Sequence, residues 1–241
     1  MSRKDLFISD ICDLHSHILP DFDDGAKDIN ESIAMLKKAQ REGIGIMAAT
    51  PHLVLDGSQN KFLLRAEKAI EELRSNEINI KLLLGFELFL DENIFTLQSI
   101  EQFTINNSSL LLFEIDENCP EELLFDAVLW LLDKNITPVM AHPERCFKLS
   151  RIMKKLKLLS DKGLLFQINT SSITGSSGFF VMRRAKYLAQ SGMKFVLGSD
   201  AHNLIARPPK MREALKKLED WIGLDLTLSA AKITARSMLN I

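Results

Sequence analysis

The chain has 241 residues, 46% hydrophobic and 26% charged, with 30 Lys and Arg against 32 Asp and Glu. Those values suit a soluble protein long enough to bury a full core, and they predict one domain over residues 1–241. A formal charge of −2, mixed along the length, argues against a basic nucleic-acid face, and the longest apolar stretch, Leu82 to Leu90, carries Glu87 and is too short to span a bilayer.

An apolar run from about Ile8 to Cys12 predicts the first strand and leads into Asp13-Leu14-His15-Ser16-His17. Asp28-x-x-Glu31 reads as a capping box opening a helix that ends near Gly43. Ile44 to Ala49 is a strand that stops at Thr50-Pro51-His52. Leu and Ala at helical spacing mark Lys61 to Arg74. Ile78 to Phe86 is the next strand, ending at Glu87, and Leu110 to Ile115 follows with Glu114 inside it. Between them Ser99 to Ser109 is polar but too short for a domain linker. Pro120 suits a first helical turn and starts an apolar helix to Lys134. Strands then run from Ile136 to Ala141, Leu164 to Ile168 and Phe195 to Leu197, with a Ser/Thr/Gly loop and a helix through Arg184 and Gln190 before the last. About seven strands alternating with helices predict an α/β fold with a largely parallel sheet, whose functional residues gather at the carboxyl ends of the strands.

All five histidines, His15, His17, His52, His142 and His202, stand at or just past the end of a strand-like run. Neutral imidazole is a common metal ligand. In His15-x-His17 and Asp200-x-His202, residues two apart face the same way on extended chain. The segment Pro20-Asp21-Phe22-Asp23-Asp24-Gly25 brings carboxylates into the first loop. Glu87 and Glu114 interrupt apolar strands, where a carboxylate is costly unless paired with a cation or a metal. Five histidines with Asp24, Glu87, Glu114 and Asp200 exceed the needs of one ion and point to two or three divalent ions; imidazole and carboxylate suit manganese, iron or zinc. In His142-Pro143-Glu144-Arg145 the arginine offers a forked cation to an anionic substrate.

The three cysteines, Cys12, Cys119 and Cys146, form no C-x-x-C pair, which fits a reducing compartment. The first residues lack the apolar core of a signal peptide. Both point to the cytoplasm. Cys146 and Arg151, with four residues between them, do not make the C-x5-R loop of cysteine-dependent phosphatases.

In order, the chain carries D-L-H-S-H-I-L-P-x-x-D-D-G-A, A-T-P-H, G-x-E, F-E, A-H-P-E-R and G-S-D-A-H-N-x-x-x-R-P-P. These motifs resemble those of the polymerase-and-histidinol-phosphatase (PHP) superfamily, and more narrowly its bacterial capsule and exopolysaccharide tyrosine phosphatases, from about Asp13 to Pro209. The resemblance implies a distorted (β/α)7 barrel with a trinuclear, often manganese-dependent site. It implies His15, His17, Asp24, His52, Glu87, Glu114, His142, Asp200 and His202 as metal ligands, and Arg145 and Arg207 as the phosphate-binding arginines. It further implies in-line attack by a metal-bridging hydroxide on protein phosphotyrosine, carried on the tail of a bacterial tyrosine autokinase. A small-molecule phosphatase acting on histidinol phosphate or a nucleotide, and a non-catalytic metal-stabilised binding module, are the alternatives. Phe22, Leu53 to Leu55 and Cys146 depart from the family pattern and bear on the substrate mouth.

Overall fold

The computed structural model describes residues 10–76, 78–146 and 149–239. The expected start of the first strand at Ile8, and the N-terminal segment, lie outside the described residues. Nine short strands are present among those described: β1 (Ile11–Asp13), β2 (Ile44–Ala49), β3 (His52–Leu53), β4 (Lys81–Leu84), β5 (Glu87–Phe89), β6 (Leu110–Glu114), β7 (Thr137–Ala141), β8 (Leu165–Asn169) and β9 (Phe195–Gly198). They form two parallel sheets, in the orders β1-β2-β4 and β3-β5-β6-β7-β8-β9. The helices are α1 (Ile29–Arg41), α2 (Gln59–Arg74), α3 (Glu121–Asp133), α4 (Leu149–Lys162), α5 (Thr170–Thr174), α6 (Phe179–Gln190), α7 (Arg212–Ile222), α8 (Leu224–Leu228) and α9 (Thr234–Leu239).

Local chemistry accounts for several of these boundaries. Asp28 caps α1, its side chain accepting from Glu31 N at 2.9 Å, while Glu31 reaches back to accept from Lys27 N at 3.1 Å. One orphan donor of the helix start is thereby satisfied, along with the amide just before the cap. Helix α1 then buries Met35, Leu36 and Ala39. Pro120 stands as the cap of α3, just outside the helix.

The strand expected over Ile78 to Phe86 is in fact broken. It pairs with β2 through β4, stops at Leu84, and resumes at Glu87 as β5 in the other sheet. Glu87 therefore opens a strand rather than closing one. Gly85 allows the break: a Cβ there would sit 2.7 Å from Ile105 Cγ1. The same step occurs one strand earlier, where Pro51 separates β2 from β3 and places His52 at the start of the new piece. The polar stretch Ser99 to Ser109 is likewise not featureless. Its short helical turns bury Ile100, Phe103 and Ile105.

The strands are buried on both faces, as continuous apolar runs in parallel sheets require. One face meets the helices in the larger apolar cluster. Alternate residues on the other face, among them Leu14, Ile46, Leu83, Leu112, Val139, Leu165 and Val196, converge in a second cluster, joined by Ala235 and Leu239 of α9. The chain just past β1 hydrogen-bonds to the end of β9, with Leu14 N donating to Leu197 O at 3.1 Å and Asp200 N to His15 O at 2.8 Å. These contacts draw the ends of the two sheets together where the histidines lie.

Candidate active site

All five histidines meet in one cluster at the carboxyl ends of the strands. His15 and His17 follow β1, His52 opens β3, and His142 and His202 follow β7 and β9. His142 and Asp200 have left-handed backbone, with φ of 31° and 52°. Non-glycine residues rarely adopt that conformation, and here it turns the chain immediately after a strand. Gly25 serves close packing instead: a Cβ there would sit 2.1 Å from His17 O.

Glu87, 1% exposed, is the hub. Its Oε2 lies 3.1 Å from His15 Nε2, 3.3 Å from His17 Nε2 and 3.1 Å from His52 Nδ1, and its Oε1 lies 2.9 Å from His142 Nε2. Glu114 reaches His52 Nδ1 at 3.2 Å. Asp24 lies 3.1 Å from His202 Nε2 and 3.6 Å from His52 Nε2. Asp200 Oδ1 is 3.7 Å from His15 Nε2 and 3.6 Å from His17 Nε2. All nine residues expected to bind metal are thus brought together.

Three overlapping sets place one ligand atom from each member within 4.8 Å of the others: His17, Asp24, His52 and His202; His15, His17 and Glu87; and His52, Glu87 and Glu114. Two buried atoms in these sets, Glu87 Oε2 and His202 Nε2, make no hydrogen bond. Buried polar atoms are ordinarily paired, so atoms of this kind converging from several sides fit cations. His142 and Asp200 fall outside the three sets but adjoin them through Glu87 and His15.

The two arginines stand at the rim. Arg145 Nη1 donates to Asp200 Oδ2 at 3.1 Å, and Arg207 Nη2 donates to Asp24 Oδ2 at 2.7 Å. Both line a cavity of about 1080 Å³ whose floor includes His52, Glu87, Glu114 and His142. Its walls add Met140, Ala141, Val181 and Arg184.

A model of the family for capsular polysaccharide synthesis, CpsB/CapC, matches residues 11–240. The chain belongs to the CpsB/CapC family. The tyrosine-protein phosphatase CpsB of Streptococcus pneumoniae is 31% identical over 220 residues, covering 84% of this chain and 87% of that protein. The tyrosine-protein phosphatase YwqE of Bacillus subtilis (strain 168) is 30% identical over 228 residues, covering 89% of this chain and 86% of that protein. Among solved structures, one reported with YwqE from B. subtilis and CpsB from S. pneumoniae as unique metal-dependent tyrosine phosphatases superposes with a TM-score of 0.85. It shares 28% identity and covers 95% of this chain and 94% of its own.

Within this CpsB/CapC chain, the cluster polarises its own members. Burial opposes charge on His15, but Glu87 and Asp200 outweigh it and raise its pKa to about 9. Burial likewise opposes charge on His52, yet Glu114 and Glu87 lift it to about 11. Burial, with His17 and Arg207 nearby, takes His202 down to about 4. Burial would raise Asp200, but the surrounding histidines hold it below the usual carboxylate range.

Several buried polar residues near the cluster were not singled out from sequence. Asp23 Oδ2 is 2.7 Å from His17 Nδ1 and accepts from His52 N at 3.1 Å. Gln167 contacts His15, and Asn169 contacts Asp200. Glu144, inside the H-P-E-R motif but fully buried, accepts from Asn169 N at 2.9 Å. The available signal was Gln167 inside the apolar run Leu164 to Ile168, with Asn169 two residues on, the same anomaly that marked Glu87. Asp13, quoted with the first histidines, stands behind them: its Oδ1 accepts from Ser199 N at 2.8 Å and so joins β1 to β9.

Of the residues departing from the family pattern, only Cys146 lines the cavity. Phe22 is buried against Phe62 of α2 at 4.5 Å between ring centroids, with Arg65 over its face, and Leu53 and Leu55 are core residues. The bulk of Phe22 is absorbed by the packing of α2, not by the substrate mouth.

Proposed function

We propose that this chain is a metal-dependent phosphomonoesterase that hydrolyses phosphotyrosine in protein. The observation that carries the reading is the convergence of five histidines and four carboxylates beneath two arginines in a cavity open to solvent. The names of the relatives agree with it. His15, His17, Asp24, His52, Glu87, Glu114, His142, Asp200 and His202 would hold two or three divalent ions, manganese first, with iron or zinc acceptable to the same donors. Bound there, such ions supply Lewis-acid neutralisation of phosphate charge and lower the pKa of water.

The chain's own residues do the rest. Arg145 and Arg207 project into the cavity from the segments after β7 and β9. Each is anchored by a carboxylate on one side and presents its remaining donors to phosphate oxygens, stabilising the charge that develops during in-line transfer. The cavity walls position the aromatic ring so that the phosphorus faces the cluster. Phenolate, with a pKa of about 10, leaves readily and demands little general-acid help.

The fold reading goes with this function. We take residues 1–241 as one domain, and the two sheets as the interrupted wall of a distorted (β/α)7 barrel. In support, β2 with β3 and β4 with β5 each act as one strand, and residues from every remaining strand enclose the second apolar cluster. The substrate we favour is the tyrosine-bearing tail of a bacterial autokinase in the cytoplasm, in a setting of capsule or exopolysaccharide synthesis. Three free cysteines accord with that compartment, and no helix among the described residues is long and apolar enough to cross a membrane.

Two measurements bear on this reading. Steady-state comparison of a phosphotyrosine peptide with histidinol phosphate and a nucleoside monophosphate will give the higher kcat/KM for the peptide; a higher value for either small ester overturns the substrate. Metal uptake will also be linked to protons. His15 and His52 carry protons at pH 7 in the metal-free chain, with pKa values near 9 and 11, and must lose them to bind a cation. Because both values lie above the ordinary histidine value of about 6.5, the stability those charges contribute is complete below that pH. It is lost as pH climbs through about 9 and then 11. Calorimetric titration in buffers of different ionisation enthalpy will show proton release at pH 7, and the metal-free chain will melt lower at pH 10 than at pH 6.5. Proton-neutral metal binding would remove this electrostatic account.

A further inference from the structure

Two neutral amides on β8 lie between the candidate ligands, and their hydrogen bonds can run in only one direction. Asn169 Nδ2 is 2.8 Å from Asp200 Oδ2. The amide nitrogen is the donor of this pair and the carboxylate oxygen the acceptor. The Asn169 oxygen therefore points the other way, where Gln167 Nε2 donates to it at 2.8 Å. That leaves Gln167 Oε1 facing His15 Nδ1 at 2.8 Å. A backbone group confirms the orientation independently: His142 N, which can only donate, points at the same Oε1 at 3.3 Å. An oxygen accepting from His15 keeps a proton on Nδ1, so Nε2, facing Glu87 and His17, is the nitrogen left to give up its proton to a cation.

We propose that Gln167 and Asn169 are positioning residues, forming a one-way hydrogen-bond relay from Asp200 to His15 that fixes the His15 ring with Nδ1 protonated and Nε2 turned into the cluster. Both side chains are buried, Gln167 at 0% and Asn169 at 1% exposure. Gly198, facing them from β9, leaves room for the relay. A Cβ at that position would sit 2.6 Å from Gln167 Nε2 and 2.6 Å from His15 Cβ. The far end is also held, since Glu144 Oε1 accepts from Asn169 N. One relay thus ties the ligand after β1 to the ligand after β9 through β8. The positioning of a ligand nitrogen depends on what its other ring nitrogen contacts, and loss of such a partner costs about 10–100-fold in metal affinity.

This inference rests on the metal reading proposed above, and its test separates the two. The probes are Mn2+ binding followed by electron paramagnetic resonance, and the hydrogen-bonded Nδ1–H signal of His15 in 15N-histidine-labelled, metal-free protein, assigned by its loss in His15→Gln. Gln167→Met keeps size and removes the acceptor. The relay predicts a fall of about 10–100-fold in Mn2+ affinity and loss of the Nδ1–H signal. Gln167→Glu retains an oxygen facing Nδ1, so the Nδ1–H signal stays, but it cannot donate to Asn169 and loses the tie to Asp200. A merely structural role predicts the opposite order, since methionine fills the space while glutamate buries a charge. Asn169→Asp gives a second test should the methionine variant not fold. It preserves shape but cannot donate to Asp200, so affinity falls, although an added negative charge by itself would tighten a cation. Wild-type affinity together with an intact Nδ1–H signal in Gln167→Met would overturn the relay, as would loss of the Nδ1–H signal in the Met and Glu variants alike. If the wild type binds no Mn2+, it is the metal reading that fails. The relay then stands or falls on whether the Nδ1–H signal of the metal-free protein disappears in Gln167→Met.

Discussion

Glu87→Gln will abolish saturable divalent-metal binding at micromolar concentrations while the chain remains folded. Glu87 is the one carboxylate within 3.3 Å of ring nitrogens from four histidines, His15, His17, His52 and His142. It also belongs to two of the three sets able to hold an ion. Glutamine keeps the shape but removes the charge that offsets bound cations. Losing an outer partner of a ligand costs about 10–100-fold in affinity; losing the shared carboxylate itself will cost more than about 100-fold, and kcat/KM will fall at least in parallel. The electrostatics change in a definite direction. Glu87 is among the groups raising the pKa values of His15 and His52, so both will titrate lower in the variant. Calorimetry with Mn2+ and histidine titration by NMR check the two halves of this expectation. Unchanged metal stoichiometry would remove Glu87 from the centre of the site.

Arg145→Ala will leave metal binding in place and depress phosphatase activity. Arg145 is 49% exposed on its side chain and touches the cluster only through Asp200 Oδ2. That oxygen retains its bond from Asn169 when the arginine is removed, so the carboxylate stays oriented. What disappears is a preorganised forked donor at the cavity wall. Removing one such donor costs about 10²–10³-fold in kcat, roughly 2.7–4 kcal/mol of transition-state stabilisation. Arg145→Lys will recover little, because an ammonium is a point charge and cannot bind two phosphate oxygens in one plane. Arg207 stands in the same relation to Asp24, and alanine there should give a loss of the same kind. Activity at the wild-type level in Arg145→Ala would remove its assigned role.

Much of this arrangement was legible as chemistry in the sequence, since the residues involved are out of place by ordinary rules. Five histidines that each stand at or just past the end of a strand-like run, and glutamates at 87 and 114 within apolar runs, have few neutral explanations. The Asp28 cap follows from local backbone needs alone. The end of β2 at Ala49 was legible, but its resumption as β3 in the other sheet and the break after Leu84 were not. A strand that changes sheets keeps its apolar pattern, and the reason for the second break lies in Ile105, distant in sequence and pressed against Gly85. Where the bulk of Phe22 goes was not legible for a similar reason: it stands in a motif loop, and the Phe62 that covers it comes from α2, distant in sequence. Gln167 and Asn169 passed unremarked because neutral amides carry no charge to flag them, though their alternate spacing on an apolar strand is the same anomaly in quieter form. Glu144 stands in the H-P-E-R motif with no role assigned to it from sequence. In the fold it points inward, where burial raises its pKa and Asn169 N holds its oxygen.

The most direct test of the central claim is phosphate release from a phosphotyrosine peptide by the full chain, before and after chelation, and again with Mn2+ restored. The geometry predicts activity that disappears with the chelator and returns with the metal. Release that continues undiminished in chelated, demonstrably metal-free protein would contradict it.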